Sequence, residues 1–244
     1  MLKQRCKFVS LGELNMIWIT GDTHIPLDIK KLNTTNFPEQ KTMTRDDYVI
    51  ICGDFGGVWY PKSSKDYKSD LYWQKWFRDK TFTTLFVDGN HENHYLLSQL
   101  PKENKFGGVV GKVIDGVYHL KRGEIYIIDG KTFFCFGGAS SHDKEHRIEG
   151  LSWWREELPS MSEMNYGIDN LERHKNKVDY IISHCCSTFI QSDISPYYES
   201  DCLTKYFDEI ENRVTFEKWF FGHYHEDKVI DNKHICLYDN KIKL

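Results

Sequence analysis

One arrangement constrains this chain more than any other: five short apolar runs, each halted by polar residues that can do chemistry. Met16 to Thr20 runs into Gly21-Asp22-Thr23-His24, and Tyr48 to Cys52 runs into Gly53-Asp54. Thr84 to Val87 leads to Asp88-Gly89-Asn90-His91, Val178 to Ile182 to Ser183-His184, and Trp219 to Phe221 to Gly222-His223-Tyr224-His225. Runs this rich in β-branched and aromatic residues read as strands buried on both faces. Reactive groups at the carboxyl ends of such strands are the usual arrangement in α/β architectures.

The intervening sequence supplies helices and hairpins. Residues 66–80 place Leu71, Trp73, Trp76 and Phe77 near one helical face. Ser160 and Glu163 have capping-box spacing for a helix running towards Lys177, and residues 201–212 predict a third helix. Residues 118–140 read as consecutive short strands, with Asp129-Gly130 as the turn between Gly123 to Ile128 and Thr132 to Phe136. Another strand pair is expected around Asp231-Asn232. With no repeat, linker or composition break, residues 16–244 are expected to form one domain. Strand-like sequence begins only at Met16, so residues 1–15 read as a leader, with Met16 as a candidate start of translation.

Composition narrows the function classes. The formal charge of -4 and pI near 6.3 come without a basic stripe, which argues against a nucleic-acid partner. No apolar run approaches the roughly 20 residues that span a bilayer, and the first residues lack the pattern of a signal peptide. Seven cysteines lack C-x-x-C spacing, and Cys52, Cys135, Cys185 and Cys236 sit in apolar runs as small hydrophobes. An odd count without a framework points to a reducing compartment, the cytoplasm.

Singly, each motif is weak. Jointly they bring Asp22, His24, Asp54, Asn90, His184, His223 and His225 to strand ends, and two histidines one residue apart on an extended segment point the same way. The order D-x-H, G-D, G-N-H-[DE], H, G-H-x-H resembles the calcineurin-like metallophosphoesterases from Asp22 to His225. The resemblance implies a four-layer α/β/β/α sandwich of two mixed sheets. It implies one divalent ion on Asp22, His24 and His225, a second on Asn90, His184 and His223, and Asp54 between them. His91 would stand beside the pair without binding metal. Two ions about 3.5–4 Å apart can share a carboxylate and a solvent-derived hydroxide and can clamp the attacking and leaving oxygens. The imidazole-rich set suits Mn first, with Fe, Zn, Ni or Co as alternatives. His91 is the candidate general acid. Glu92 is either its orienting or charge-holding partner or a plain helix-start carboxylate.

The sequence departs from the family pattern in two places. Phe55-Gly56-Gly57-Val58-Trp59 follows Asp54 where a charged residue is common, and Cys185-Cys186-Ser187 follows His184 where a proline is common. Neither removes a ligand; both bear on pocket shape. Substrate contacts are expected in residues 137–154, where Arg147 and His142 are the candidates and Trp153 or Trp154 could stack on a base. The alternatives are that the tryptophans cover the core and that Arg147 pairs with Glu149 or Glu156. Trp59 and Tyr60 pose the same question. The expected activity is hydrolysis of phosphomonoesters or small phosphodiesters, nucleotides included. A nuclease of the same family is disfavoured by the acidic balance, and a non-catalytic scaffold by the retention of every ligand.

Overall fold

Strands form where the apolar runs end at Gly-Asp and Gly-His, and their order in the sheets brings those ends together. The computed structural model describes residues 15–244. The leader expected at residues 1–15 lies, but for Asn15, outside the described residues.

In chain order the first sheet takes β1 (Ile17–Thr20), β2 (Tyr48–Ile51), β3 (Thr83–Phe86), β4 (Lys102–Lys105), β5 (Gly108–Ile114) and β6 (Val117–Leu120). The second takes β7 (Glu124–Ile128), β8 (Lys131–Phe136), β9 (Tyr180–Ser183), β10 (Lys218–Phe221), β11 (Lys228–Val229) and β12 (His234–Cys236), and β13 (Lys241–Lys243) returns to the edge of the first. The orders are β13-β1-β2-β3-β6-β5-β4 and β11-β12-β10-β9-β8-β7. The strands β1, β2 and β3 are mutually parallel, as are β8, β9, β10 and β12. Each sheet also contains antiparallel pairs, so both are mixed.

Period-2 alternation builds the layers. Ile50 and Cys52 of the second run enter the space between the sheets with Phe133, Cys135, Ile182 and Phe220. Val49 and Ile51, one residue out of phase, face outward against Phe77 of α1 (Tyr67–Arg78) and Leu97 of α2 (His94–Ser98). On the other flank Phe134, Phe136, Ile181, Trp219 and Phe221 meet α3 (Met161–Arg173), α4 (Thr188–Ile194) and α5 (Cys202–Arg213). This is the four-layer α/β/β/α sandwich. The strand cysteines are buried in it as expected.

Local signals explain several boundaries. Asp129 and Gly130 both take positive φ, 50° and 75°, which is the two-residue turn the Asp-Gly pair predicts. The Ser160–Glu163 capping box is made, yet α3 stops at Arg173 because Lys175 and Asn176 turn left-handed at 59° and 51°. In α1 the reading of the buried face needs correction. Phe77 is buried and the tryptophans only partly, while Asp70 and Gln74 fill the rest of the stripe. Both serve the loop after Asp54: Asp70 accepts the N–H groups of Trp59 and Tyr60 at 2.6 and 2.8 Å, and Gln74 donates to the Gly57 carbonyl at 2.9 Å. No described helix is long and apolar enough to cross a membrane.

Candidate active site

The loops that follow β1, β2, β3, β9 and β10 meet at one end of the sandwich and are tied to one another. Thr23 and His24 donate their N–H groups to the Asp54 carbonyl at 3.1 and 2.7 Å, and Gly222 donates to that of His184 at 2.9 Å. The His91 N–H reaches Asp54 Oδ1 at 2.7 Å, and the His223 N–H meets the Asp22 carboxylate at 3.1 and 3.2 Å. These ties hold backbone that side chains rarely adopt: φ is 33° at His24, 44° at Asp54, 69° at His223 and 51° at His225. Two glycines are fixed by close approach. A Cβ on Gly89 would lie 2.0 Å from Asp54 Oδ1, and one on Gly222 would lie 2.0 Å from Asp22 Oδ1.

All seven residues expected as ligands converge here. Asp22, His24 and His225 present ligand atoms within 4.8 Å of one another, and so do Asp22, Asp54 and His184. Asp54 Oδ2 lies 3.0 Å from His24 Nε2 and 3.4 Å from His184 Nε2. Asn90 Oδ1 stands between His184 Nε2 at 3.1 Å and His223 Nδ1 at 3.0 Å. Outer partners fix which atom of each ligand faces inward. Asp28 Oδ2 can only accept, so at 2.7 Å it sets the proton on His24 Nδ1 and turns Nε2 to the centre. The Cys52 carbonyl, 2.8 Å from His184 Nδ1, does the same for that ring. Asn90 donates from Nδ2 to Ser141 Oγ at 3.2 Å, which leaves its oxygen for the centre, and Ser141 is held by Glu157 at 2.7 and 2.9 Å. This donor set of carboxylate, imidazole and amide oxygen fits divalent transition metals.

Electrostatics point the same way. Burial pushes His184 down, but the Asp54 and Asp22 carboxylates overcome it and hold the ring up at about 10. Burial likewise opposes ionisation of Asp54, and His184, His24 and His91 outweigh it and keep the carboxyl well below the usual range. The buried carboxylates of Asp22 and Asp54 give the centre a negative potential that favours cations.

A family model described as calcineurin-like phosphoesterase matches residues 16–227. The chain belongs to that family. No curated protein matches the chain. Calcineurin-like phosphoesterases are metal-dependent hydrolases of phosphoesters, and the Asp and His clusters of this chain are its candidate ligand sets.

The residues outside the ligand set divide. His91 lies as close to the centre as a ligand does, its ring grouping with His24 and Asp54. Its Nδ1, however, accepts from Arg147 Nη1 at 3.0 Å, which leaves the ring proton on Nε2. Burial holds His91 below the ordinary histidine value, the Asp54 charge pulls it back up, and Arg147 presses it down further. Arg147 pairs with Asp143 at 2.7 Å, while Glu149 takes Arg155 at 2.5 Å. The expected partners Glu149 and Glu156 are therefore replaced by Asp143, the residue one helical turn back. Glu92 faces away from the proton-donor position: its carboxylate accepts the Phe55 and Gly56 N–H groups at 2.6 and 3.3 Å. It binds the loop after Asp54 rather than orienting His91. His142 is exposed, with its ring 5.7 Å from that of His223 and 5.3 Å from that of Tyr198. Trp154 is buried and covers the core, meeting Trp59 edge-on at 5.5 Å. Asp28, Ser141 and Glu157 were missed from the sequence; only Asp28, four residues after His24, carried a signal in its spacing.

Proposed function

We propose that this protein is a dinuclear phosphoesterase acting on phosphomonoesters or small phosphodiesters, with Mn²⁺ the first candidate metal. The observation that carries the reading is Asp54, buried between an Asp22–His24–His225 cluster and an Asn90–His184–His223 cluster. Two divalent ions held there would supply a water activated at neutral pH and a clamp on the phosphoryl oxygens. Asp54 would hold both ions, and Asp28, Cys52 and Ser141 keep the ligand atoms turned inward. His91 acts as general acid in its doubly protonated form, giving the Nε2 proton to the leaving oxygen and keeping the one on Nδ1, for which Arg147 gives way. Without substrate Arg147 holds the His91 ring by that nitrogen, and with substrate bound it adds positive charge beside the phosphate. His142, at the mouth on the His223 side, lies within reach of the substrate. The physiological substrate is a small phosphorylated molecule or a nucleotide rather than a nucleic acid, and the free thiols among the described residues, buried except for Cys202, support the cytoplasm as its location.

Purified protein loaded with Mn²⁺ is expected to hydrolyse an aryl phosphate or a bis-aryl phosphate, and chelation to abolish turnover. The Asp54→Asn variant is expected to lose bound metal and activity together. Turnover with none of Mn, Fe, Zn, Ni or Co would refute the reading.

A further inference from the structure

Two clefts leave the metal-ligand cluster in different directions, and their linings differ in chemistry. On the His223 side a cavity of about 520 Å³ is polar, lined by Ser140, His142, Lys144, Tyr198 and Glu199 among others. On the His24 side a cavity of about 250 Å³ runs from His24, Gly56 and His91 to Trp59 and Tyr60. Those two aromatic residues also wall a larger space of about 740 Å³ with Tyr95, Leu96, Leu151 and Trp154, a size that suits small organic ligands.

The aromatic wall is fixed in place. The Trp59 N–H is held by Asp70 at 2.6 Å and its carbonyl by Asn93 Nδ2 at 2.9 Å, while Asp70 also takes the Tyr60 N–H at 2.8 Å. Behind Trp59, the buried Trp154 packs edge-on at 5.5 Å. A half-buried indole on a backbone clamped at both polar groups is preorganised to receive a flat ring, which lowers the ordering cost of binding. Asp70 and Gln74 add a second sign of purpose: two polar side chains are buried in α1 to hold this loop, where apolar residues would have packed the helix more simply.

We infer that the Trp59–Tyr60 cleft seats the leaving group and selects one that carries a flat aromatic ring. This rests on the reading of His91 as proton donor: the leaving oxygen takes its proton from His91, so the carbon skeleton attached to it lies on the His91 side, along Trp59 and Tyr60. The part of a diester that stays on phosphorus faces the polar cleft. An aryl alcohol and a nucleoside share the recognised chemistry, a π-face for Trp59 to stack on.

Two matched pairs of esters separate the sources. Adenosine 5′-phosphate and ribose 5-phosphate differ in the base alone, and 2-naphthylmethyl phosphate and methyl phosphate differ in the aryl group. Wild type is expected to favour the aromatic member of at least one pair by about tenfold in kcat/KM, the scale of one stacked ring. Which pair shows the preference identifies nucleoside or aryl recognition. In Trp59→Ala that ratio is expected to fall to within about threefold of unity, and in Trp59→Phe to persist. Trp59→Leu, which fills space without a π-face, is the second variant should Trp59→Ala fail to fold. Calorimetric binding of the same four compounds reads the preference without turnover. A Trp59-dependent aromatic preference in binding with no hydrolysis would sustain the cleft while refuting the phosphoesterase reading. Equal treatment of both members of both pairs by wild type, or an unchanged ratio in Trp59→Ala or Trp59→Leu, would overturn the inference.

Discussion

The Lys31 ammonium is buried beneath the candidate site and donates to the backbone carbonyl of Asp22 at 2.5 Å and to that of Tyr238. Tyr238 in turn stacks on His225, with ring centroids 4.8 Å apart. One side chain therefore ties the first ligand in the chain to the last. Burial holds the Lys31 ammonium below its ordinary value, against the pull of Asp22 and Asp239. Lys31→Met keeps the length and removes both hydrogen bonds, leaving two carbonyls without their donor. The expected loss is about 2–4 kcal/mol in a urea melt of the metal-free protein, with weaker metal binding by titration. A melt unchanged from wild type would mean that the tether contributes nothing.

Asp28 touches no substrate, and its effect is expected to be on metal alone. Asp28→Ala frees His24 Nδ1, so the ring can swap tautomer and rotate. Metal affinity should fall roughly 10–100-fold, as is usual when the partner behind a ligating histidine is lost. Excess Mn²⁺ should restore turnover close to that of wild type.

His91→Ala is expected to behave in the opposite way. Metal stoichiometry by mass spectrometry should stay at the wild-type level. Turnover should fall roughly 10²–10⁴-fold on an alkyl ester, the range for a positioned general acid. The loss should shrink on a nitrophenyl ester, whose leaving oxygen needs no proton.

Asp88 provides a test of stability. Its buried carboxylate accepts from Arg122 Nε at 2.8 Å and faces His119 Nε2 at 3.0 Å. Burial opposes its charge, but Arg122 and His119 outweigh burial and hold it well below the ordinary carboxylate range. A depressed folded value means the unfolded chain takes up protons first as the pH drops. The stabilisation is therefore complete above about pH 5 and is lost as the pH falls below the unfolded value near 3.9. Asp88→Asn should cost about 3–5 kcal/mol at pH 7 by leaving Arg122 buried without its counter-charge. The gap between wild type and variant should narrow by roughly 1.4 kcal/mol per pH unit below about 4.

The strand-end motifs were legible because each is local: an apolar run of alternating burial sets the strand, and the glycine beside Asp54, Asn90 or His223 marks where the backbone crowds a neighbour. The hairpin at Asp129-Gly130 and the Ser160 capping box were legible for the same reason. Other features were hidden. Lys31, Asp70 and Glu92 look like surface charges in a sequence, yet all three are buried on backbone groups 9 to 207 residues away in the chain. The strands β4 and β5 and the short helices α2 and α4 carry too few periodic residues to be read with assurance.

By itself the sequence determined the strands and the set of side chains that converge at their ends, since these follow from periodicity and residue type, and the order of those motifs carried the resemblance that implied the family and the sandwich. Only the tertiary structure decided how each side chain is used. It turned Glu92 to the Asp54 loop, gave Arg147 to His91 and Asp143, and opened an aromatic cleft beside Trp59. Those choices depend on hydrogen-bond partners and burial contributed by distant segments, and a local pattern of residues cannot carry that information.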